Sequence, residues 1–310
     1  MVKCSFCDEK AILVRKYEGI RLCEKHFLRS VEKKIRKTIR VNQLLRRGDV
    51  VAVGLSGGKD SCLATWFLST IRKKYNIEIF AITINEGISN YRKEDIKCAK
   101  DITKKYGIKH HIFSFKEECG VTLEQIMKTE AIRKEKIGAC SVCSVFRRYI
   151  LNKKARELGA NKLVIAHNLD DECQSIFISY VRGDISRALR LGSFSPKTEK
   201  SMFVRRIKPL LDIPEKETAL FSHLKNFKTF SGECPNAKKS FRWKIRDIIL
   251  NLEKNYPGTK YSIIKNFEKI RKELLDARKN STPKICSICG ESGSGEICKY
   301  CQIMKLIKSD

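Results

Sequence analysis

No apolar run in the 310-residue chain approaches the roughly 20 residues of a membrane-spanning helix, and its start, MVKCSFCDEKAILV, has no secretory h-region. A bilayer span and export are therefore not expected, and a cytoplasmic location is. Acidic residues are scarce: 35 Asp and Glu face 64 Lys and Arg, a formal net charge of +29. That excess reads as a footprint for a polyanion, or as a solvated basic surface; it says nothing about fold. Internal repeats are missing too, apart from analogous cysteine knuckles at the two ends. Hydrophobic residues make up 42% of the chain, which excludes global disorder. The length allows one large domain with appendages, or two domains.

What is plentiful is cysteine. Fourteen thiols in a reducing compartment argue against a disulfide framework and for metal or sulfur chemistry. Cys4-x-x-Cys7 with Cys23-x-x-His26 supplies four ligands suited to tetrahedral zinc, a Cys3His set. Cys286-x-x-Cys289 with Cys298-x-x-Cys301, spanning the short spacer GESGSGEI, forms a Cys4 ribbon. Four protein ligands close each shell, so both sites read as structural staples for modules too small to fold alone.

From Val50 onward, strands and helices alternate. Strands are predicted at Val50–Leu55, Glu78–Ile84, Lys109–Phe115 and Lys162–Ala166, and helices at Asp60–Lys74, Tyr91–Tyr106, Ser144–Leu158 and Asp171–Val181. Short apolar strands joined by helices mean a doubly wound parallel sheet covered on both faces, an α/β fold. Beyond Pro209 the chain reads as helical, at Pro214–Phe227, Lys238–Asn255 and Tyr261–Lys279. The expected division is a zinc knuckle at 1–29, a basic helical linker at 30–48, a catalytic domain at 49–230, a helical extension at 231–280 and a zinc ribbon at 281–310. The linker carries eight basic residues and one Glu between Leu28 and Gly48. Its Lys33, Arg36 and Arg40 either decorate a solvated face or contact phosphates.

Between the first strand and its helix lies GLSGGKDS, Gly54 to Ser61. Asp60 follows Lys59 where a Walker A loop needs Ser or Thr, and Ser56 stands where GxGxxG needs glycine. Gly54-Leu55-Ser56-Gly57-Gly58 does satisfy the GxSxG nucleophile elbow, with Asp212 and His223 as nominal partners. That reading leaves the cysteines and the charge unexplained. The remaining reading is an anion cradle, in which backbone N–H groups and hydroxyls at a helix N-terminus hold phosphate.

SGGKDS resembles the PP-loop of N-type ATP pyrophosphatases, HUP-like folds that cleave ATP between its α and β phosphates. The resemblance implies ATP contacts from Gly54, Leu55, Ser56, Gly57, Gly58, Lys59, Asp60 and Ser61. It also sets the first and fourth strands side by side, bringing AHNLDDE (Ala166 to Glu172) next to the loop. Ala166, His167 and Asp171 then join the ATP site, with Ile84 near adenine. Asp170 and Asp171 could simply cap a helix; the resemblance points to Asp171, with Asp60, as magnesium-holding or positioning carboxylates.

Cys140-x-x-Cys143 alone reads as a redox pair, half a zinc site or cluster ligands. Cys234, beside Pro235, is a plausible third ligand. Three thiolates leave one iron of a 4Fe-4S cluster open, where four would close it. Cys62, Cys98, Cys119 and Cys173 lack paired spacing, and Cys62 and Cys98 fit helical cores.

Taken together, the terminal knuckles, PP-loop, HNLDDE and three middle cysteines resemble the tRNA 2-thiouridine synthetases of the TtuA/NcsA group, a branch of the TtcA-like PP-loop sulfurtransferases. The likeness spans essentially the whole chain. Ser144 stands where relatives often carry glycine, and Arg147 where some carry an ATP-site lysine. The resemblance implies that AMP is transferred to the C2 oxygen of a uridine, that pyrophosphate leaves into the loop, and that sulfur displaces AMP. Sulfur would ride on the open iron, or as persulfide on Cys143 or Cys234. Implied cofactors are ATP, Mg2+, one 4Fe-4S cluster and two Zn2+; implied partners are tRNA, a ubiquitin-like sulfur carrier or sulfide, and a second copy of the chain. Without a strong thermophile signature, the wobble uridine is preferred to the T-loop. Alternatives are a 2-thiocytidine enzyme and a non-catalytic zinc-ribbon RNA binder. Candidate RNA contacts include Arg182, Arg187 and Arg190 in one basic loop. KSFRWK offers Lys239 and Arg242 alongside Phe241 and Trp243, which either stack bases or fill the core.

Overall fold

The computed structural model describes residues 2–88, 92–194, 202–230, 232, 234–237, 240–277, 284–293 and 295–309. Tyr91, Lys238, Lys239 and Lys279 lie outside the described residues, as does the linker 280–283.

Its centre is a parallel sheet of order β5-β4-β3-β6-β7. The strands are β3 (Val50–Gly54), β4 (Glu78–Asn85), β5 (Lys109–Ser114), β6 (Lys162–Val164) and β7 (Arg205–Ile207). Two small hairpins lie outside it: β1 (Leu13–Arg15) with β2 (Ile20–Leu22), and β8 (Lys284–Ile285) with β9 (Ser292–Gly293). β3 and β6 are neighbours in register Val51↔Lys162 and Val53↔Val164. The sequence pattern missed β7, a three-residue edge strand written RRI, too short and too basic to show alternation.

Alternation along the strands divides the core. Val51 and Val53 point into one cluster, with α1 (Glu24–Val41), α2 (Lys59–Tyr75), α3 (Arg92–Tyr106) and α10 (Glu215–Leu224). Ala52 and Leu163 point into another. That face is covered by short helices α4 (Phe115–Cys119), α5 (Leu123–Ile126) and α6 (Glu130–Lys134), then α7 (Ala139–Glu157) and α13 (Lys299–Lys308). A third cluster joins α8 (Leu169–Val181) to α11 (Phe241–Asn255) and α12 (Thr259–Ala277), with the single-turn α9 (Ile185–Ala188) at its edge. A sheet apolar on both faces needs cover on both, and the two layers follow.

The segment read as a basic linker is largely α1. Val31, Ile35 and Ile39 are buried in the sheet's first cluster, while Lys33, Arg36 and Arg40 face solvent. The N-terminal hairpin is pinned to the same side. Arg15 is fully buried and meets Glu217 on α10 through two bonds, Nε–Oε1 at 3.0 Å and Nη2–Oε2 at 2.6 Å.

One boundary differs with consequence for the site. The pattern places the start of a helix at Ser144; α7 begins at Ala139, with Gly138 as N-cap and no side-chain cap to announce it. Cys140 and Cys143 therefore sit in the first turn, three residues apart on one helical face.

Candidate active site

The loop after β3 is shaped by one residue. Gly57 has φ +89°, and a Cβ there would lie 2.0 Å from the Asp95 carbonyl oxygen on α3. Only glycine fits such a turn pressed against backbone. Ser56 Oγ lies 3.0 Å from Ser61 Oγ and accepts from the Gly58 N–H at 3.3 Å. The Ser56 N–H donates to Ser61 Oγ at 3.2 Å. These long bonds, at the head of a 17-residue helix, are of the kind a phosphate oxygen replaces. Ser56 is no hydrolase nucleophile: Asp212 accepts from Thr38, and His223 is exposed at the end of α10.

The acids of AHNLDDE separate into roles. Asp170 pairs with Lys260 and accepts the Glu215 N–H at 2.8 Å; Glu172 is fully buried against Lys208 at 2.7 Å. Both hold the fold together. Asp171 instead turns to the loop. It closes a capping box with Asn168, whose side-chain amide donates to Asp60 at 3.2 Å. Its carboxyl pKa is pushed up to about 6, first by desolvation and then by Asp60. Two carboxylates held close beside a phosphate loop are a donor set for Mg2+. Lys59 bridges Asp60 at 3.1 Å and Glu215 at 3.2 Å.

His167, at the end of β6, keeps a buried Nδ1 that has no hydrogen-bond partner. Burial and then the cations Lys208, Arg242, Arg148 and Arg147 hold its pKa well below the usual value, so the ring is neutral. A buried, orphaned nitrogen fits a ligand that supplies the missing partner. Ala166 is half-buried beside it, and Ile84 is buried at the end of β4.

The middle cysteines meet the same end of the sheet. The exposed Cys140 thiol reaches the Asn236 carbonyl at 3.4 Å, drawing the Cys234 turn against the first turn of α7. Cys143 is raised to about 11 by desolvation; Arg147 opposes the rise, and Glu86, Cys234 and Cys140 add to it. Among the described residues, however, only the terminal sets converge tightly enough to grip a single ion. Thiolates are the donor type that holds iron–sulfur clusters, and Cys140, Cys143 and Cys234 are drawn to one place by the Cys140–Asn236 contact. Cys62 and Cys173 are buried and bond backbone carbonyls, at Gly57 and Lys260. Cys98 and Cys119 are half-buried.

At the ends, Cys4, Cys7, Cys23 and His26 place their ligand atoms within 4.8 Å of one another, as do Cys286, Cys289, Cys298 and Cys301. Soft donors at that spacing fit zinc. The C-terminal set is tied to α7: Tyr300 stacks on Tyr149, with centroids 3.8 Å apart and rings 7° from parallel.

Sequence reasoning passed over two groups. Glu86, just after β4, and Arg92, at the start of α3, join the loop to α7. Arg148 on α7 and Arg206 on β7 enlarge a basic rim with Arg187 and Arg242. Leu163 pairs with Arg206, which sets that arginine on the α7 side of the sheet's edge. Desolvation, then repulsion by Arg206, Arg187, Arg147 and Arg242, draws Arg148 down to about 10. The signal was FRRY just after CxxC. Arg242 also bonds Gln174 and Ser175 at 3.0 Å and lies 3.6 Å from Asp171. Arg190 is exposed beyond the rim. Phe241 and Trp243 are half-buried, each under a guanidinium, Arg182 at 5.1 Å and Arg246 at 4.9 Å.

Loop, carboxylates and sheet order define a PP-loop nucleotide-binding protein, and residues 27–253 match the PP-loop domain family. Residues 3–28 match the N-terminal LIM domain of the 2-thiouridine synthetase TtuA. The chain belongs to the PP-loop tRNA 2-thiolation proteins. It is 34% identical to the tRNA 2-thiolation protein NcsA of Haloferax volcanii, covering 99% of this chain and 100% of that one. It is 31% identical to the tRNA-5-methyluridine(54) 2-sulfurtransferase of Pyrococcus horikoshii, covering 99% and 95%. The U34-tRNA thiolase NcsA of Methanococcus maripaludis, solved with its [4Fe-4S] cluster, superposes with a TM-score of 0.84 at 36% identity, covering 98% and 96%. Among the described residues no helix is long and apolar enough to cross a membrane.

Proposed function

We propose that the chain is an ATP-dependent tRNA-uridine 2-sulfurtransferase acting at the wobble uridine. One observation carries the reading: the glycine loop, Asp171 and the Cys143–Arg147 turn converge at the C-terminal ends of β3, β4 and β6. Ligands bind at such a switch point in open α/β sheets. The wobble position is supported by the likeness to the U34 thiolase, at 36% identity over 98% of the chain.

The uridine O2 attacks the α phosphorus of ATP, the bond to the β phosphate breaks, and pyrophosphate departs. Ser56, Gly57, Gly58 and Ser61, with Lys59, stabilise the charge that grows on it. Asp60 and Asp171 would hold Mg2+, which would supply positive charge against the phosphates. AMP on O2 turns a poor leaving group into a phosphate monoester. Sulfur then bonds to C2 as the C2–O bond breaks and AMP leaves. Cys140, Cys143 and Cys234 would hold a 4Fe-4S cluster, which supplies an iron with an open coordination position for sulfur. Arg147, one turn beyond Cys143 and 3.4 Å from Glu86, neutralises the α phosphate in this reading. His167 supplies a neutral ring nitrogen in the cleft. Ile84 and Ala166 bound the adenine side.

Arg187, Arg206 and Arg242 lie close enough to Arg148 to repel its charge, and we assign all four to the phosphates flanking an unstacked base. The exposed Lys33, Arg36 and Arg40 on α1 extend the basic surface toward the tRNA body; Arg190 and Lys239 belong to the same proposal. The terminal sets hold two Zn2+. The sulfur donor is a carrier-protein thiocarboxylate or sulfide, and the working unit a homodimer, as the family resemblance implies.

Incubation with ATP, Mg2+, a sulfur source and unmodified tRNA tests the reading. It predicts AMP and pyrophosphate, with 2-thiouridine at the wobble position by nucleoside mass spectrometry. ATP left intact, or sulfur found only on cytidine, contradicts it.

A further inference from the structure

Glu86 follows β4 and is buried, its side chain 3% exposed. It is flanked by two guanidiniums of opposite situation. Arg92, buried at 7% exposure, places Nε 2.7 Å from Glu86 Oε2. Arg147, on α7 and 49% exposed, places Nη1 3.4 Å from Glu86 Oε1. Arg92 does more than balance charge. Its Nη2 donates to the Ile84 carbonyl at 2.7 Å, and its Nη1 reaches the Ser56 carbonyl at 3.4 Å and Asp95 Oδ2 at 2.8 Å. Asp95 is the residue whose backbone presses on Gly57. On the other side, Arg147 lies one helical turn beyond Cys143, whose thiol feels both Arg147 and Glu86.

A run of polar contacts therefore leads from the nucleotide loop through Arg92 and Glu86 to Arg147, one turn beyond a cluster cysteine, and Glu86 is the acid in it that touches both arginines. We propose that Glu86 is a positioning residue that ties the nucleotide loop to the cluster-bearing helix by dividing its charge between Arg92 and Arg147. The proposal rests on the proposed reading of the loop and the three cysteines. An anionic phosphate in the loop competes with Glu86 for Arg147. The charge felt at Cys143 then depends on nucleotide occupancy, and nucleotide affinity depends in return on Glu86.

A double-mutant cycle of Glu86→Gln and Arg147→Met tests it, in protein reconstituted anaerobically. Binding of a non-hydrolysable ATP analogue with Mg2+ is measured by calorimetry, and the cluster's midpoint potential with and without that analogue. Glu86→Gln keeps shape and removes charge. The proposal expects a more positive midpoint potential, a nucleotide-induced shift at least severalfold smaller than in the wild type, and altered nucleotide affinity. It expects the last two effects, on the nucleotide-induced shift and on affinity, to vanish in the Arg147→Met background to within about twofold, the agreement that uncoupled sites would instead show for simple multiplication. Effects that multiply across the two variants overturn it, as does a Glu86→Gln protein with the wild-type potential and nucleotide response. If a variant fails to retain iron, the affinity cycle is run on cluster-free, zinc-loaded protein, where loss of the Glu86→Gln effect in the Arg147→Met background supports the proposal and simple multiplication overturns it. Wild-type protein that binds no nucleotide, or a Cys140→Ala variant that keeps its iron, defeats the functional reading itself, and this proposal with it.

Discussion

Asn168 stands between two carboxylates: its side-chain amide donates to Asp60 at 3.2 Å, and its carbonyl oxygen accepts the Asp171 N–H at 3.0 Å. The arrangement holds two acids close at a cost to the empty protein. Asp171 ionises near 6 in the fold and near about 3.9 in an unfolded chain. The folded state therefore binds the proton more tightly, and ionising Asp171 destabilises it. Asp171→Asn keeps the capping oxygen and removes the charge. Thermal melts of ligand-free protein should show the variant gaining on the wild type as pH rises from about 4 to about 6, with a constant advantage above. The same variant should lose ATP-dependent pyrophosphate release. Equal melting temperatures at pH 4 and pH 8 would contradict this.

Gly57→Ala should leave the zinc modules intact and abolish nucleotide binding. The new methyl meets the Asp95 carbonyl at 2.0 Å, and the positive φ alone costs about 1–2 kcal/mol. Gly58→Ala is the control, since its Cβ would approach only Ser56 Oγ, at 3.5 Å. Calorimetric titration with an ATP analogue separates them: the first variant should show no binding, the second a measurable affinity.

Glu217→Ala should destabilise the whole chain by roughly 3–5 kcal/mol, the range for stranding one member of a buried pair. It leaves the Arg15 guanidinium, fully buried, without its bidentate partner, although Glu18 and Ser30 remain at 2.8 and 2.7 Å. Denaturant unfolding followed by circular dichroism measures the loss. A change below about 1 kcal/mol, the scale of a surface pair, would contradict the docking described.

The sheet was legible because β3, β4 and β6 are apolar runs in alternation with helices, and periodicity reports that directly. β7 was not, because three residues cannot alternate enough to register. The start of α7 was hidden for a related reason: Gly138 caps it by backbone alone, so no Ser, Thr or Asp marks the turn that carries Cys140 and Cys143. Local motifs transferred well. SGGKDS and the four terminal ligand pairs are defined by spacing, which survives folding unchanged. Residues whose role depends on a distant partner stayed invisible. Glu86 looks like any loop acid until Arg92 and Arg147 arrive from two different helices, and Arg206 like any basic residue until α7 brings Arg148 beside it.

Arg148→Ala and Arg206→Ala should weaken tRNA binding at low salt and flatten its salt dependence, each by about 0.9 in the slope of log affinity against log salt if one phosphate contact is lost. ATP-analogue affinity should change far less. Filter binding across a salt series reads both. A slope unchanged in both variants would remove this rim from the RNA path.

The central claim is that Cys140, Cys143 and Cys234 hold an iron–sulfur cluster beside the nucleotide loop. The direct measurement is anaerobic purification of wild type and Cys140→Ala, with iron, labile sulfide and zinc assayed in each. The account predicts matched iron and sulfide in the wild type, loss of most of both in the variant, and zinc unchanged. Iron content equal in the two proteins would contradict it.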